Sequence, residues 1–267
     1  MLKNAEGYYG IFIAGLKSRF VYRKDWFMWM MVRFSAALVM ILVFTAIYLG
    51  NGVASIRGFT LPFLYAYFFL ANAIWYGLSI GIVKMMQDDI QSGTIASALI
   101  KPVGYVGRLV SNALSETVVS MIFIAIPMFA IGLLLSGVHV TIQTALIFSG
   151  ELTLAYCLFV VTSFLVGTAA VYLVEVWPVS WLWWSIAEAL GGMLMPLAFF
   201  PQLAQNLLMF TPFPVMIYTP VATLLGTASS QYIIITIASG AVWLVALTLL
   251  ARIWWEKVRR DITSVGG

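Results

Sequence analysis

Charged residues are scarce in this sequence. Only 9% of its 267 residues are Asp, Glu, Lys or Arg, whereas 63% are hydrophobic. About a quarter of the residues of an ordinary soluble domain are charged, so this balance excludes a soluble enzyme or a soluble binding domain. The composition indicates one membrane-embedded domain over residues 1–267, and no segment is long or polar enough to form a separate soluble domain.

Residues that build chemical centres are almost missing as well. The sequence has one Cys and one His. Cys157 lies within a long apolar block and cannot form an intrachain disulfide, and His139 has no companion residues that would complete a metal or catalytic cluster. The G-x-x-x-x-G-K-[ST] phosphate-binding pattern is also missing, since no Gly-Lys pair occurs. We therefore expect no catalytic residue, metal or cofactor on this chain.

Six long apolar blocks are present instead, each sufficient to cross a hydrocarbon layer of about 30 Å as a helix. If they run back and forth across a membrane, thirteen of the fourteen Lys and Arg residues fall on one side, and Arg57 is left on the other. Cytoplasmic loops are the ones enriched in Lys and Arg. We therefore predict an all-α membrane protein with six transmembrane helices, both termini in the cytoplasm, and no affinity for nucleic acid. The blocks cover residues 26–49, 61–83, 113–135, 141–174, 179–199 and 232–255.

Two further segments are predicted to lie at the membrane surface or to enter it only partly. Residues 8–24 mix apolar and basic positions, which favours an amphipathic helix at the cytoplasmic headgroups; the alternative is an irregular basic lead-in. Residues 199–230 are apolar, but prolines divide them into pieces too short to span. We expect two short outer re-entrant helices here, capping the outer end of a pathway; the alternative is a hairpin on the surface. The dividing prolines are Pro201, Pro212, Pro214 and Pro220.

The longest polar stretch, residues 84–112, lies on the predicted cytoplasmic side. Asp88 and Asp89 favour a helix N-terminus, Gly93 permits a break, and Pro102 should end any helix near Lys101. Apolar residues occur throughout this stretch, so it either docks on a soluble partner or folds against the underside of its own bundle. These apolar residues are Ile90, Ile95, Leu99 and Ile100.

Two carboxylates fall within the apolar blocks. Glu151 lies in the fourth block and Glu188 in the fifth, where an ionisable group is costly and is a functional hypothesis by default. They could face a substrate cation, pair with a partner subunit, or stay protonated and hydrogen-bonded. No Lys or Arg is expected at a comparable depth. We treat both as candidate pathway residues, with packing between helices or subunits as the alternative.

Several short motifs occur in an order that resembles a known family. Residues 90–95 (IQSGTI) and 99–103 (LIKPV) resemble an "I-x-x-G-x-L…L-x-x-P-V" coupling region, with Ile95 where Leu is common. Residues 211–213 (TPF) and 218–220 (YTP), followed by Gly226, and the basic tail 252–260 with 262–267 (ITSVGG) continue the likeness. Over nearly its whole length the chain resembles the ABC-2-type transporter permeases, the membrane subunits of ATP-driven exporters.

The resemblance implies a division of labour between chains. A coupling helix around residues 88–99 would sit in a cleft of a separate nucleotide-binding ATPase subunit, with the N-terminal interfacial helix bracing it. ATP and Mg²⁺ would be bound by that partner. The coupling residues would be Asp88, Asp89, Ile90, Gly93, Thr94, Ile95, Leu99 and Pro102, and the paired outer helices would carry a gate region at Pro212, Phe213, Tyr218 and Pro220.

The expected function is that of a permease in a bacterial-type plasma membrane, surrounded by lipid and paired with a second identical or related permease. Such a transporter exports a hydrophobic or amphipathic substrate, for example a drug, a peptide, a lipid or a lipid-linked glycan. The alternative functions are an ion-coupled carrier and a non-transporting scaffold. An intramembrane enzyme is disfavoured, because no nucleophile constellation accompanies the two glutamates.

Overall fold

The structure is a computed structural model that describes residues 2–21, 23–78 and 81–265. Nearly all of these residues are helical, and the predicted all-α class is confirmed. A small antiparallel hairpin, Ser55–Ile56 paired with Phe59–Thr60, interrupts the helices. Its turn residues Arg57 and Gly58 both have positive φ angles, 49° and 85°, as a two-residue hairpin turn requires.

The helices follow one another with short connections. The first seven are α1 (Leu2–Val21), α2 (Arg23–Asn51), α3 (Leu61–Gly77), α4 (Ile82–Gln91), α5 (Thr94–Leu99), α6 (Tyr105–Ser120) and α7 (Ile126–Ser136), with a π-helical turn, Met121–Ala125, between α6 and α7. The remaining ones are α8 (Ile142–Gly167), α9 (Trp177–Gly191), α10 (Gln202–Leu208), α11 (Phe213–Met216), α12 (Tyr218–Leu225) and α13 (Ser230–Val265). Short 3₁₀ turns occupy Thr168–Val171 and Leu197–Phe199.

Five stretches of the described chain are long and apolar enough to cross a membrane, which makes this a multi-pass membrane protein. They contain four of the six predicted blocks and most of the fourth block, 141–174, although residues 79 and 80 in the second lie outside the described part. The five stretches are Lys24–Asn51, Leu61–Gln91, Tyr105–Ser136, Ile142–Val171 and Ser230–Ile262.

The fifth predicted block, residues 179–199, differs from the prediction. Its helix α9 ends at Gly191, and Gly192 follows in the left-handed conformation with φ 88°. Fifteen helical residues extend about 22 Å, which is less than the hydrocarbon layer of about 30 Å. The prediction of one continuous helix to residue 199 was wrong, because the Gly191-Gly192 pair ends the helix in a left-handed cap.

The long helices run between two ends of the bundle. We call one the loop end, residues 84–104 and 172–176, and the other the hairpin end, residues 52–60, 137–141 and 226–229. Helix α3 leaves the hairpin end and α4 continues to the loop end. Contacts between Gln87 and Glu175, and between Tyr172 and Asp261, show that α8 and α13 also reach the loop end.

Helix α3 forms the centre of the bundle, and every residue from Ala66 to Gly77 is buried. It can pack closely on α7 because Gly132 has no side chain: a Cβ there would lie 2.7 Å from Cγ of Leu70. Helix α1 lies along α6 in the same way, since a Cβ on Gly15 would be 2.4 Å from Oγ of Ser115. By contrast, α2 and α13 leave most of their apolar side chains exposed, as lipid-facing helices do.

Candidate functional site

A cavity of about 760 Å³ lies between α2, α3, α4, α8 and α9. This volume is within the range of roughly 300–1,000 Å³ that small-molecule sites occupy. Exposed residues of α4 and of the segment before α9 line its mouth, Asp88 and Glu175 among them. The cavity therefore opens at the loop end.

Three aromatic rings from three helices form one wall of the cavity. Trp75 comes from α3, Phe159 from α8 and Trp184 from α9. The rings of Phe159 and Trp184 are stacked with centroids 5.5 Å apart, and Trp75 meets both edge-on at 5.2 and 5.5 Å. Both arrangements are favourable for aromatic pairs, so the wall is a packed surface with little freedom to rearrange.

Glu188 lies beside this wall. It follows Trp184 by four residues on α9, which places the carboxyl group on the same helix face as the indole. The residue is half-buried and lines the cavity. It lies eleven positions along α9 from Trp177, the first helical residue after the loop end, so the carboxylate lies about 16 Å into the bundle.

Arg33 of α2 lines the same cavity. Its guanidinium carbon is 4.0 Å from the centroid of the Tyr76 ring and 5.1 Å from that of Trp29, distances at which cation–π attraction operates. The expectation that no Lys or Arg lies as deep as the glutamates was wrong for Glu188. Arg33 belongs to the first apolar block, residues 26–49, although the charge comparison placed it with the cytoplasmic cations.

Helix α4 forms the edge of the cavity mouth. Lys84 and Asp88 form an exposed ion pair with a separation of 3.3 Å, and Gln87 donates a hydrogen bond of 2.8 Å to the Glu175 carboxylate. Gln91 donates to the backbone carbonyl of Val174 at 2.7 Å. The second half of helix α4 is therefore attached to the segment before α9.

Asp89 connects α4 to the two helices that follow. One carboxylate oxygen accepts hydrogen bonds from the Tyr105 hydroxyl, at 3.1 Å, and from the guanidinium of Arg108. The other accepts from the Thr94 hydroxyl at 3.3 Å. The prediction that Asp88 and Asp89 begin a helix was wrong, because α4 begins at Ile82 and both lie in its last turn.

The break and the end predicted for residues 84–112 are confirmed. Gly93 has φ 70° between α4 and α5, and α5 ends at Leu99, before Pro102. Two alternatives were left open for this loop, folding against its own bundle or docking on a partner, and α5 has one buried side and one exposed side. Ile95 and Ala98 are buried against the bundle, with Ile90 and Leu99 half-buried. On the other side the exposed residues are Thr94, Ser97, Ile100, Lys101 and Pro102, and Ile100 is 86% exposed.

The C-terminal helix is also fixed at the loop end. The Tyr172 hydroxyl donates a hydrogen bond of 2.6 Å to the Asp261 carboxylate, and this bond raises the pKa of Tyr172 because it holds the hydroxyl proton. Trp255 stacks on Tyr105 with ring centroids 5.4 Å apart. Helix α13 therefore contacts both the start of α6 and the end of α8.

A second cavity, of about 540 Å³, lies beside the first between α1, α2 and α6. Arg33, Tyr76 and Lys84 line both cavities, and the side chains of Arg33 and Tyr76 contact each other there. On its far side Arg19 forms an ion pair of 3.2 Å with Glu116, which also accepts a hydrogen bond of 3.1 Å from the backbone nitrogen of Gly81. The Arg33–Tyr76 pair is thus the partition between the two spaces.

Glu151 does not share these surroundings. Its side chain is buried, and one carboxyl oxygen accepts a hydrogen bond of 2.8 Å from the hydroxyl of Thr223 on α12. Neither cavity lining includes it. The two glutamates singled out in the sequence therefore belong to different places in the molecule.

The residues assigned to the outer gate lie in a closed region. Pro212, Tyr218 and Pro220 are buried and Phe213 is half-buried, and every residue from 214 to 225 is buried. Tyr218 packs against Tyr67 and Tyr232, with ring centroids 6.3 and 5.9 Å away. Residues 214–225 therefore do not form a hairpin on the surface, whereas much of α10 before them is exposed.

The hairpin end is closed by polar contacts as well. The Tyr67 hydroxyl donates to the carbonyl of Gly192. Arg57, the single cation assigned to this side, donates hydrogen bonds of 2.8 Å to the carbonyls of Ala198 and Phe200. The β-hairpin is therefore attached to the chain that follows α9.

Sequence reasoning missed the cavity, although a signal was present. Trp177, Trp181, Trp184 and Glu188 recur at intervals of four, three and four residues, which places them on one face of a helix. A single helix does not show what this face meets. Only the packing of α9 against α3 and α8 brings Trp75 and Phe159 to it.

Comparison with known families supports this picture of a multi-pass membrane protein. A family model described as "ABC-2 family transporter protein" matches residues 34–266, which includes the loop end, helices α3 to α12 and every residue of the cavity lining except Arg33. No match is found among curated proteins. Because the match extends over most of its length, the chain belongs to the ABC-2 family of transporter proteins.

Proposed function

We propose that this chain is the permease subunit of an ATP-driven exporter that moves a hydrophobic or amphipathic molecule, such as a drug, a peptide, a lipid or a lipid-linked glycan. One observation carries the proposal: helix α4, which forms the edge of the cavity mouth, is followed directly in the chain by the exposed residues 94–102 at the loop end. Through Lys84, Gln87 and Asp88, α4 lines the cavity, and one residue beyond Gly93 the chain enters α5. A push on α5 would therefore reach the cavity directly.

The exposed side of residues 94–102 is the surface where an ATPase subunit would dock. It presents the apolar side chain of Ile100 and the rigid ring of Pro102, surrounded by polar residues such as Ser97 and Lys101, and an apolar centre with a polar rim is typical of a protein interface. The inner side of α5 is fixed to the bundle through Ile95 and Ala98. Asp89 connects the segment to Tyr105 and Arg108 on α6. The coupling residues Asp88 to Pro102 thus have two roles, outer contact and inner attachment.

ATP and Mg²⁺ would be bound by that partner, since members of the family are generally non-catalytic membrane subunits. The protein would lie in a bacterial-type plasma membrane. A second permease subunit, identical or related, would complete the transporter. The excess of Lys and Arg at the loop end favours a cytoplasmic loop end and cytoplasmic termini.

The sixth crossing would be made by α9 together with the short helices after it. Helix α9 extends about 22 Å, and α10 to α12 continue towards the hairpin end. Residues 214–225 fit a re-entrant segment, because the ends of short helices leave backbone groups that protein must cover within a membrane, and these residues are buried. Pro212, Phe213, Tyr218 and Pro220 would form the outer gate, closed in this conformation. Helix α1 would lie at the cytoplasmic headgroups.

The test is affinity purification of the chain in mild detergent, with mass spectrometry and an ATPase assay of the complex. Ile100→Asp places a charge in the proposed interface, so we expect it to remove the ATPase subunit from the purified complex. Ile142→Asp is the matched control, because Ile142 is 83% exposed at the hairpin end and acidic residues are tolerated at a helix N-terminus.

Loss of the ATPase subunit in the Ile100 variant alone would support the coupling surface. A chain that purifies without any ATPase subunit and moves substrate under a proton gradient would instead favour the ion-coupled carrier. A chain that does neither would favour a scaffold.

A further inference from the structure

We infer that the cavity at the loop end binds an organic cation with aromatic groups, with Glu188 as its counter-ion and Trp75, Phe159 and Trp184 as its wall. The inference rests on the proposed transport function in one respect: the bound cation would be the class of molecule that the permease carries. Binding to the chain itself does not depend on the ATPase subunit.

The charges around the cavity favour a cation. Most of the charged residues in its lining already have partners within the protein. Lys84 is paired with Asp88, Glu175 accepts a hydrogen bond from Gln87, and Arg33 lies against the rings of Tyr76 and Trp29. None of the ion pairs formed within the described residues includes Glu188. The lining holds three carboxylates (Asp88, Glu175 and Glu188) against two cations (Arg33 and Lys84), so it carries one net negative charge that a bound cation would balance.

The aromatic wall favours the same sign of charge. The face of an aromatic ring carries negative potential, and Trp attracts a cation more strongly than Tyr or Phe does. The protein itself uses this attraction where the Arg33 guanidinium lies 4.0 Å from the Tyr76 ring. An anion in the cavity would be repelled by the Glu188 carboxylate, and the Arg33 guanidinium, which also lines the cavity, already lies against the Tyr76 and Trp29 rings.

The position of the Glu188 carboxylate strengthens its attraction for a cation. Glu188 lies about 16 Å inside the bundle and is half-buried, where attraction between charges is stronger than in water. At the mouth, Asp88 and Glu175 outnumber Lys84, so the entrance would also attract a cation. The cavity of about 760 Å³ accommodates a molecule of drug size.

The experiment compares two ions of the same shape and opposite charge, tetraphenylphosphonium and tetraphenylborate. Radiolabelled ions are bound to the full chain in phosphatidylcholine nanodiscs, and empty nanodiscs correct for partition into lipid. We expect the cation to bind more tightly than the anion. Glu188→Gln should weaken cation binding about tenfold or more, because it removes a charged partner from a partly desolvated site, and it should reduce the preference for the cation.

Three further variants separate a binding role from a structural one. Glu256→Gln makes the same chemical change at an exposed position outside the cavity and should leave binding unchanged. Trp184→Phe keeps an aromatic ring and should weaken cation binding less than Trp184→Leu, which removes the ring. This graded response remains measurable even if Glu188→Gln does not fold, which gel filtration would reveal.

Equal binding of the two ions, or unchanged cation binding in a folded Glu188→Gln chain, would overturn the inference. So would equal effects of Trp184→Phe and Trp184→Leu. Such a result would leave the permease proposal intact if the ATPase subunit still co-purifies. Conversely, tight and selective cation binding by a chain without an ATPase subunit would keep this inference and overturn the ATP-driven function.

Discussion

Glu151 and Glu188 are both carboxylates far inside the helical bundle, and their surroundings are opposite. Glu151 is 1% exposed and is held by the hydroxyl of Thr223. Glu188 is half-buried and lines a cavity that opens at the loop end. The comparison teaches that one residue type has two uses in this bundle: it connects two helices where the packing is closed, and it faces a space where the packing is open.

The same contrast holds for the two halves of the molecule. Towards the hairpin end, residues 214–225 are buried between α3, α8, α9 and α13, and Tyr67 and Arg57 connect separate segments through hydrogen bonds. Towards the loop end, two cavities lie on either side of Arg33 and Tyr76. The proposed export pathway would need this arrangement, open at one end and closed at the other.

The largest effect on the closed half is expected from Gly192→Ala. Gly192 has φ 88°, and a Cβ there would lie 3.0 Å from the Tyr67 hydroxyl oxygen and 3.1 Å from Cβ of Tyr218. Conformational strain and crowding together should lower the free energy of unfolding by about 3 kcal/mol, measured by thermal unfolding in detergent.

Gly52→Ala is the control for that variant. Gly52 also has a positive φ, 63°, but nothing lies within 4 Å of the added carbon. It should cost only about 1 kcal/mol, the conformational part. Equal losses in the two variants would contradict the close packing around Gly192.

A smaller loss is expected when Glu151 loses its partner. Thr223→Val keeps the shape of the side chain and removes the hydroxyl that donates to the buried carboxyl group. The free energy of unfolding should fall by about 2 kcal/mol, because a buried acceptor is left without its donor. The control is Thr153→Val, an exposed position on α8, the helix that carries Glu151. It should change the free energy of unfolding by less than about 0.5 kcal/mol. A stable Thr223 variant would show that Glu151 does not depend on this bond.

The smallest effect is expected at the hairpin. Arg57→Ala removes two hydrogen bonds to backbone carbonyls, but the site is exposed and water replaces the lost donors. We expect a loss of about 1 kcal/mol. Protection of residues 55–60 from hydrogen exchange should decrease, while exchange in α4 stays the same. Decreased protection in α4 would contradict the separation of the two halves.

Much of the fold could be predicted from single stretches of sequence. The helical class and the long helices α2, α8 and α13 follow from apolar runs, because each run alone decides whether it can cross a membrane. The break at Gly93 and the helix end before Pro102 follow from local backbone rules. These features depend on few contacts between distant residues.

The cavity and the end of α9 could not be derived in this way. The cavity is formed by side chains of α2, α3, α4, α8 and α9, and no one of these helices shows which face meets the others. Arg33 shares a space with Glu188, although 155 positions separate them in the sequence. The end of α9 depends on Gly192 being fitted between Tyr67 and Tyr218, so only the Gly-Gly pair itself was visible beforehand. Residues 266 and 267 of the tail motif lie outside the described part of the chain.

The central claim is that the cavity is open at the loop end while the hairpin end is closed. The most direct measurement labels Ser185→Cys and Thr219→Cys, each in a Cys157→Ala background, with a water-soluble thiol reagent. The chain is placed in sealed vesicles whose orientation is set by access to a C-terminal tag. Ser185 lines the cavity and is exposed, whereas Thr219 is buried among the short helices. We predict that Ser185→Cys is labelled from the loop-end side and that Thr219→Cys is labelled from neither side. Labelling of Thr219→Cys from the hairpin-end side, or no labelling of Ser185→Cys from the loop-end side, would contradict the account.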